Sequence, residues 1–146
     1  MSLLRDIWAF LTGSFRPPTP RILVVDDDLE IRNLVKDILE TRGYHVEIAA
    51  DGLQGLACYK KGAYDLLILD SRMPRVDGNA MLDAIRSLPG GAEQAVIMLS
   101  AENMLGPIGK SYKLGIRDWI PKPFTAKILL TKVDAQLNAA EKLRLR

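Results

Sequence analysis

Acidic residues follow two apolar runs of the sequence directly, and they are the side chains best suited to chemistry. Asp26–Asp28 come after the run Ile22–Val25, and Asp70 comes after the run Leu66–Leu69. Short continuous apolar runs are typical of strands buried on both faces of a parallel sheet. If the two strands are neighbours, about 4.8 Å apart, their carboxylates converge on one rim of the sheet.

Converging carboxylates repel one another unless protons or a cation neutralise them. Mg²⁺ fits this role because it binds through a few carboxylates, keeps several waters and coordinates substrate phosphate. An aspartate after a strand is also a common helix cap, and that is the favoured interpretation of Asp28. For Asp26, Asp27 and Asp70 together, the coincidence at two strand ends favours a metal site.

A serine and a lysine lie at the ends of two further predicted strands. Ser100 follows Leu99, and Lys122 comes just beyond Ile120. Taken alone, the serine could cap a helix and the lysine could form a structural ion pair. Acids, an ammonium and a hydroxyl at four strand ends are better explained as a phosphoryl-transfer site, which needs positioned groups that neutralise charge.

The elements that position these groups alternate from residue 21 onward. The predicted strands are Ile22–Val25, Val46–Ala49, Leu66–Leu69, Ala95–Leu99 and Asp118–Ile120. The first predicted helix starts near Asp28 and stops at Gly43, and the next two span Gly52–Lys61 and Ala80–Leu88. The last begins at a Thr125 cap and places Ile128, Leu129, Val133 and Leu137 on its inner side. This alternation predicts an α/β fold, in which helices cover both faces of a parallel sheet. Sites in such sheets form at the carboxyl ends of the strands.

Composition excludes several classes of protein. The 146 residues are 48% hydrophobic and 26% charged, as in an ordinary soluble domain, and the net charge of +2 gives no argument for a nucleic-acid surface. The single cysteine, Cys58, allows no internal disulfide and is interpreted as a small buried hydrophobe. The single histidine, His45, allows no histidine-rich metal site, and no apolar run approaches the roughly 18 residues of a membrane span. A cytoplasmic location is therefore expected.

The ordered set of motifs resembles the receiver domain of bacterial two-component response regulators. The matching segments are Ile22–Asp28, Asp70–Gly78, Ser100-Ala101 and Lys122–Phe124, and the similarity spans Arg21 to about Ala140. The resemblance implies a CheY-like, flavodoxin-like sheet of order 2-1-3-4-5. It divides the chain into an amphipathic helix and proline-rich linker at 1–20, a receiver domain at 21–142 and a tail at 143–146.

The resemblance also implies the roles of the acidic residues. Asp70 would be the phosphoacceptor, forming an aspartyl phosphate. Asp26 and Asp27 would organise Mg²⁺ together with Asp70, with Asp27 as the more direct ligand. Arg72 would offer its backbone carbonyl to the same ion.

The resemblance also implies roles for residues at or near the ends of the fourth and fifth strands. By resemblance, Lys122 would neutralise the phosphoryl oxygens and Ser100 would hydrogen-bond one of them. Trp119 occupies the family's aromatic switch position, usually Tyr or Phe, and the Lys122–Pro123 peptide is expected to be cis.

The implied partners are proteins. The donor would be a histidine kinase or a histidine phosphotransfer protein, and a downstream partner would bind the face made by the fourth helix, fifth strand and fifth helix. No direct nucleic-acid contact is expected, because no output domain follows the receiver in this sequence. The chain would be a signalling switch and not a conventional enzyme, catalysing only its own Mg²⁺-dependent phosphorylation and dephosphorylation. Whether it acts alone or was cut from a longer protein is left open.

Three features depart from the family pattern. Two glycines and a proline within 104–109 predict a short, late-starting or mobile fourth helix. Trp119 is bulkier than the usual aromatic, which could restrict its rotation. Arg72 and Glu102 could pair across the mouth of the site and shield the acyl phosphate from water, although a solvated pair of little effect is an equally good interpretation.

The segment Met1–Thr12 is not explained by the resemblance. Leu3, Leu4, Ile7, Trp8 and Leu11 would share one helical face. Packing on its own domain or contact in a homodimer ranks first, and contact with a membrane surface or origin as an expression tag are the alternatives.

Two other functions compete with the phosphorylated switch. A phosphorylation-independent binding module would keep the fold, and the unusual fourth-helix region supports it. A Mg²⁺-dependent phosphohydrolase would need a second aspartate two residues after Asp70, where Arg72 stands.

Overall fold

The computed structural model describes residues 3, 4, 7, 11–13, 19–101 and 114–144. Its centre is a five-stranded parallel sheet of order β2-β1-β3-β4-β5, as predicted. The strands are β1 (Arg21–Val25), β2 (His45–Ala49), β3 (Leu66–Asp70), β4 (Val96–Ser100) and β5 (Asp118–Pro121). Each predicted strand is confirmed, with its bounds moved by no more than one residue.

Four helices accompany the sheet in the described part of the chain. They are α1 (Leu29–Thr41), α2 (Gly52–Lys61), α3 (Gly78–Arg86) and α4 (Ala126–Arg144), with a 3₁₀ turn at Gly91–Glu93. The C-terminal helix α4 continues two residues into the predicted tail at 143–146.

The core forms one cluster on each face of the sheet, because successive side chains of a strand point to opposite faces. The first cluster joins the sheet to α1 and α4 and includes Ile22, Val24, Leu39, Ile68, Leu99 and Val133. The second joins it to α2 and α3 and includes Leu23, Val25, Leu69, Met81, Ile85 and Met98. Burial on both faces accounts for the continuous apolar runs in the sequence.

Polar caps begin the helices where the sequence places them, with one exception. The Asp28 side chain accepts hydrogen bonds from the backbone N–H groups of Glu30 and Ile31, so the cap interpretation of Asp28 is confirmed. Thr125 caps α4 by accepting from the N–H of Ile128, 3.2 Å away. The predicted third helix, Ala80–Leu88, is shifted by two residues: α3 spans Gly78–Arg86, and the Asp77 carboxylate caps its start by accepting from the N–H of Ala80.

Some side-chain placements differ from the predictions. Ile128 was expected inside the last helix, but it is 41% exposed, and the inner side is formed by Leu129, Val133 and Leu137. Cys58 is partly buried and packs beside the second cluster, so it is less enclosed than predicted. His45 lies exposed on the edge strand β2.

The described residues of the N-terminal segment are helical at Leu3, Leu4, Ile7 and Leu11, and these four side chains are exposed. Trp8 and residues 14–18, which include Pro17 and Pro18 of the predicted linker, lie outside the described residues. The same is true of the whole stretch 102–113, which contains the predicted fourth helix and Glu102. Among the helices that the structure describes, none is long and apolar enough to cross a membrane.

Candidate functional site

Three carboxylates meet at the carboxyl end of the sheet. Asp26, Asp27 and Asp70 each place an oxygen within 4.8 Å of the others. The register explains the meeting, since Val25 pairs with Leu69 across β1 and β3 and the next residue of each strand is an aspartate. The site predicted from two strand ends is therefore assembled by the parallel pairing.

Asp26 is fully buried and is held at each of its polar atoms. Its N–H donates to the carbonyl of Ala49 at 3.2 Å, and its carbonyl accepts from the Arg32 guanidinium at 2.8 Å. One carboxylate oxygen accepts from the N–H of Asp28 at 2.9 Å, and the other accepts from Lys122 Nζ at 2.8 Å. Asp26 is thus a fixed anion at the base of the site.

Lys122 reaches the acids from the far side of the site. Its Nζ lies 2.8 Å from Asp26 and 3.3 Å from Asp70, and its backbone N–H donates to the carbonyl of Ser100 at 2.7 Å. Burial opposes the ammonium charge, yet the two carboxylates prevail and raise the pKa of Lys122. The Lys122–Pro123 peptide is cis, which confirms the prediction.

The carboxylate of Asp70 has a strongly raised pKa. Burial first, and then the neighbouring Asp26 charge, raise the pKa of Asp70 from 3.8 to about 7, against the opposing effects of Lys122 and of the Arg72 N–H. That N–H lies 3.3 Å from the carboxylate. The positive groups of the protein therefore do not fully neutralise the ionised carboxylate of Asp70.

The residues present fit a hard divalent cation. The donor set consists of carboxylate oxygens, the ligands that Mg²⁺ prefers, and the excess of acid over ammonium at the rim favours a cation. Asp27 is the exposed member of the three, so it faces solvent, from which an ion would arrive. Arg72 is also exposed, beside Asp70, and its N–H contacts the Asp70 carboxylate.

Ser100 and Trp119 lie next to this rim, on one face of the sheet. Ser100 ends β4 and is 1% exposed. Trp119 pairs with Met98 and packs, partly buried, against the second core cluster. Because Ser100 lies two residues beyond Met98 on the same strand, its side chain points to the face that Trp119 occupies.

Two basic residues that contact the site or its neighbour strand were missed by the sequence reasoning. Arg32 donates to the Asp26 carbonyl from the first turns of α1. Lys132 of α4 donates to the Asp118 carboxylate at 2.8 Å and to the Trp119 carbonyl at 2.9 Å. The only signal in the sequence was that each is a basic residue on a helix that follows a predicted site residue. Arg32 follows Asp26–Asp28, and Lys132 follows Lys122.

Comparison with known proteins gives a consistent result. The family described as response regulator receiver domain matches residues 22–134. The transcriptional regulatory protein RprY of Bacteroides fragilis is 33% identical over 118 residues, covering 81% of this chain and 49% of that protein. The response regulator MprA of Mycobacterium tuberculosis is 36% identical over 133 residues, covering 86% of this chain and 56% of that protein. The chain thus spans about half the length of these curated relatives.

Solved structures agree with the sequence relatives. A CheY-like receiver domain protein from Methanospirillum hungatei superimposes with a TM-score of 0.79 at 35% identity, covering 85% of this chain and 98% of that one. The chemotaxis protein CheY4 of Vibrio cholerae gives a TM-score of 0.77 at 32% identity, covering 80% and 98%. The match over most of the fold and the acid cluster at its rim lead to one conclusion: this chain belongs to the response regulator receiver domain family.

Proposed function

We propose that the chain is a phosphoacceptor switch, in which Asp70 takes a phosphoryl group from a phosphohistidine of a partner protein. The observation that carries the proposal is the meeting of Asp70 with Asp26, Asp27 and Lys122 at one rim of the sheet. Membership of the receiver family supports it, since a histidine kinase or histidine phosphotransfer protein is the donor that the family implies. In this role the chain catalyses only its own phosphorylation and dephosphorylation.

The transfer forms one bond and breaks another. A carboxylate oxygen of Asp70 attacks the phosphorus, the P–O bond forms, and the P–N bond to the donor imidazole breaks with its electron pair returning to nitrogen. Asp26, Asp27, Asp70 and the Arg72 carbonyl would hold Mg²⁺, which supplies positive charge to the phosphoryl oxygens when bound. Lys122, 3.3 Å from Asp70, adds a second positive charge on the other side.

The shape change follows from the charge placed on Asp70. A phosphoryl oxygen attracts the Ser100 hydroxyl, which stands at the end of the neighbouring strand β4. The partly buried Trp119 on the same face then repacks into the space that this side chain leaves. A downstream protein that contacts β5, α4 and the segment between β4 and β5 would sense the difference.

The proposal is tested by intact mass after incubation with Mg²⁺ and acetyl phosphate. Wild type should gain the mass of one phosphoryl group, and Asp70→Asn should gain none. Asp77→Asn is the matched control, because Asp77 is an exposed helix cap outside the acid cluster, and this variant should be labelled like wild type. Equal labelling of wild type and Asp70→Asn would contradict the proposal.

Absence of labelling is resolved by a second arm with a phosphorylated histidine phosphotransfer protein as donor. If neither donor labels the wild type, a phosphorylation-independent binding module becomes the better account of this chain.

A further inference from the structure

The basic side chain of Arg32 has no place in the phosphoacceptor chemistry, although it contacts the acid loop. Its Nη1 donates to the backbone carbonyl of Asp26 at 2.8 Å, while its own N–H makes the helical bond to the carbonyl of Asp28 at 2.9 Å. Arg32 is partly buried, so its contact with the Asp26 carbonyl is partly shielded from water. The contact spans six positions of the chain and closes the turn that contains both metal-site aspartates and the Asp28 cap.

The atom that Arg32 holds belongs to the peptide unit between Asp26 and Asp27. A peptide unit is planar, so fixing its carbonyl oxygen also fixes the direction of the N–H and Cα that follow. Asp26 itself is already fixed by Ala49, Asp28 and Lys122. The Arg32 contact is what extends this fixation across the peptide to Asp27.

Asp27 depends on this support more than its neighbour does. It is exposed, and Asp26 is fully buried. The Asp27 side chain contacts that of Asp70, and the direction in which it leaves the loop is set by the backbone that carries it. Outer contacts of this kind typically change metal affinity 10- to 100-fold when they are removed.

We propose that Arg32 is a positioning residue for the metal site, orienting the Asp26–Asp27 peptide so that the Asp27 carboxylate is aimed at the ion. The inference rests on the proposed Mg²⁺ site. It assigns Arg32 no contact with the ion or with the phosphoryl group.

The charge of Arg32 allows a sharp test, because the loss of positioning and the loss of charge would change the Mg²⁺ affinity in opposite directions. A cation near an acidic site repels a second cation, so removing the charge alone would tighten Mg²⁺ binding. Loss of positioning would weaken it.

The experiment is calorimetric titration of the apo protein with MgCl₂ at pH 7.5, for wild type, Arg32→Met and Arg32→Lys. The expected Mg²⁺ dissociation constant of Arg32→Met is about tenfold higher than that of wild type. Arg32→Lys keeps a donor and should recover most of the affinity. Arg42→Met is the matched control, because Arg42 pairs with Asp134 at 3.4 Å, away from the acids, and its affinity should match wild type.

Labelling by acetyl phosphate gives a second readout. At saturating Mg²⁺, the labelling rate of Arg32→Met should lie within about twofold of wild type, since only the affinity for the ion is lowered. If Arg32→Met does not fold, Arg32→Gln replaces it, because its shorter side chain removes the charge and does not extend to the Nη1 position.

Unchanged or tighter Mg²⁺ binding by the neutral Arg32 variant would overturn the inference and leave the proposed function intact. Wild type that binds no Mg²⁺ would overturn the proposed metal site, and the inference with it.

Discussion

Lys122 Nζ lies 2.8 Å from the Asp26 carboxylate, and this contact joins two strand ends that are 96 positions apart in the chain. The Asp26 side chain is fully buried and that of Lys122 is 13% exposed. Breaking such a pair leaves a buried charge without compensation, which costs more than the pair contributes when intact. The contact is therefore structural as well as chemical.

Replacing Lys122 by Met should lower the free energy of unfolding by about 3–5 kcal/mol, because the buried Asp26 carboxylate loses its partner. Urea denaturation measures the loss. Lys132→Met is the matched control, since Lys132 pairs with Asp118 where both side chains are about one third exposed, and its loss should be about 1 kcal/mol or less. Similar losses in the two variants would show that the buried Lys122–Asp26 pair stabilises the fold no more than an exposed pair does.

The contribution of Asp70 to the stability of the metal-free protein should fall as pH rises from about 4 to about 7. The folded protein raises the pKa of Asp70 to about 7, above its ordinary value of 3.8, so within this window the folded form binds more protons than the unfolded form. Above pH 7, Asp70→Asn should be more stable than wild type by roughly 1–3 kcal/mol in EDTA.

Urea unfolding at pH 5 and pH 8, with and without Mg²⁺, measures this pH effect. The difference between wild type and Asp70→Asn isolates Asp70 from the other titrating groups, and Mg²⁺ should reduce that difference at pH 8. Parallel pH profiles for the two proteins would refute the assignment.

Gly78 is required where α3 approaches the end of β3, which carries Asp70. A Cβ on Gly78 would lie 2.3 Å from the Asp70 carbonyl oxygen and 3.2 Å from the Ser71 Cα, and both are backbone atoms. Gly78→Ala should therefore cost about 1–3 kcal/mol and slow acetyl-phosphate labelling, because the backbone that carries Asp70 must shift.

Gly90→Ala serves as the comparison for Gly78→Ala. Gly90 has φ of +76° and open space around its missing Cβ, so alanine meets only backbone strain. It should lose about 1 kcal/mol of stability and label at the wild-type rate. An unimpaired Gly78→Ala would mean that the close approach imposes no constraint on the backbone of Asp70.

Tyr44 ties the start of β2 to the C-terminal helix. Its hydroxyl donates to the Asp134 carboxylate, and burial followed by this bond raises the pKa of Tyr44 to about 12. Tyr44→Phe should lower the free energy of unfolding by about 1–2 kcal/mol. Tyr59→Phe should cost less than about 0.5 kcal/mol, since the Tyr59 hydroxyl makes no hydrogen bond within the described part of the chain. Thermal unfolding at pH 7 ranks the two, and an equal loss would argue against the Tyr44 link.

The strands and the acid site could be predicted from the sequence because both follow from local patterns. Burial on both faces demands unbroken apolar runs, and parallel pairing brings the residues after those runs to one rim. Asp26, Asp70, Ser100 and Lys122 could therefore be placed from their positions in the sequence alone.

Other features depend on geometry that spacing does not encode. The sequence predicts a third helix from Ala80, whereas the structure begins α3 at Gly78 with Asp77 as its cap. The helical period places both Ile128 and Leu129 on the inner side of α4, whereas only Leu129 is buried in the structure. The Arg32 contact requires the path of the loop between β1 and α1, which no periodicity predicts.

The most direct test of the central claim is to locate the phosphoryl group on the chain. The wild-type protein is labelled with acetyl phosphate and Mg²⁺ and then reduced with borohydride, which converts an aspartyl phosphate into homoserine, before peptide mass mapping. The account predicts homoserine at position 70 and unmodified aspartate at positions 26 and 27. Labelled protein whose homoserine maps to any other aspartate would contradict it.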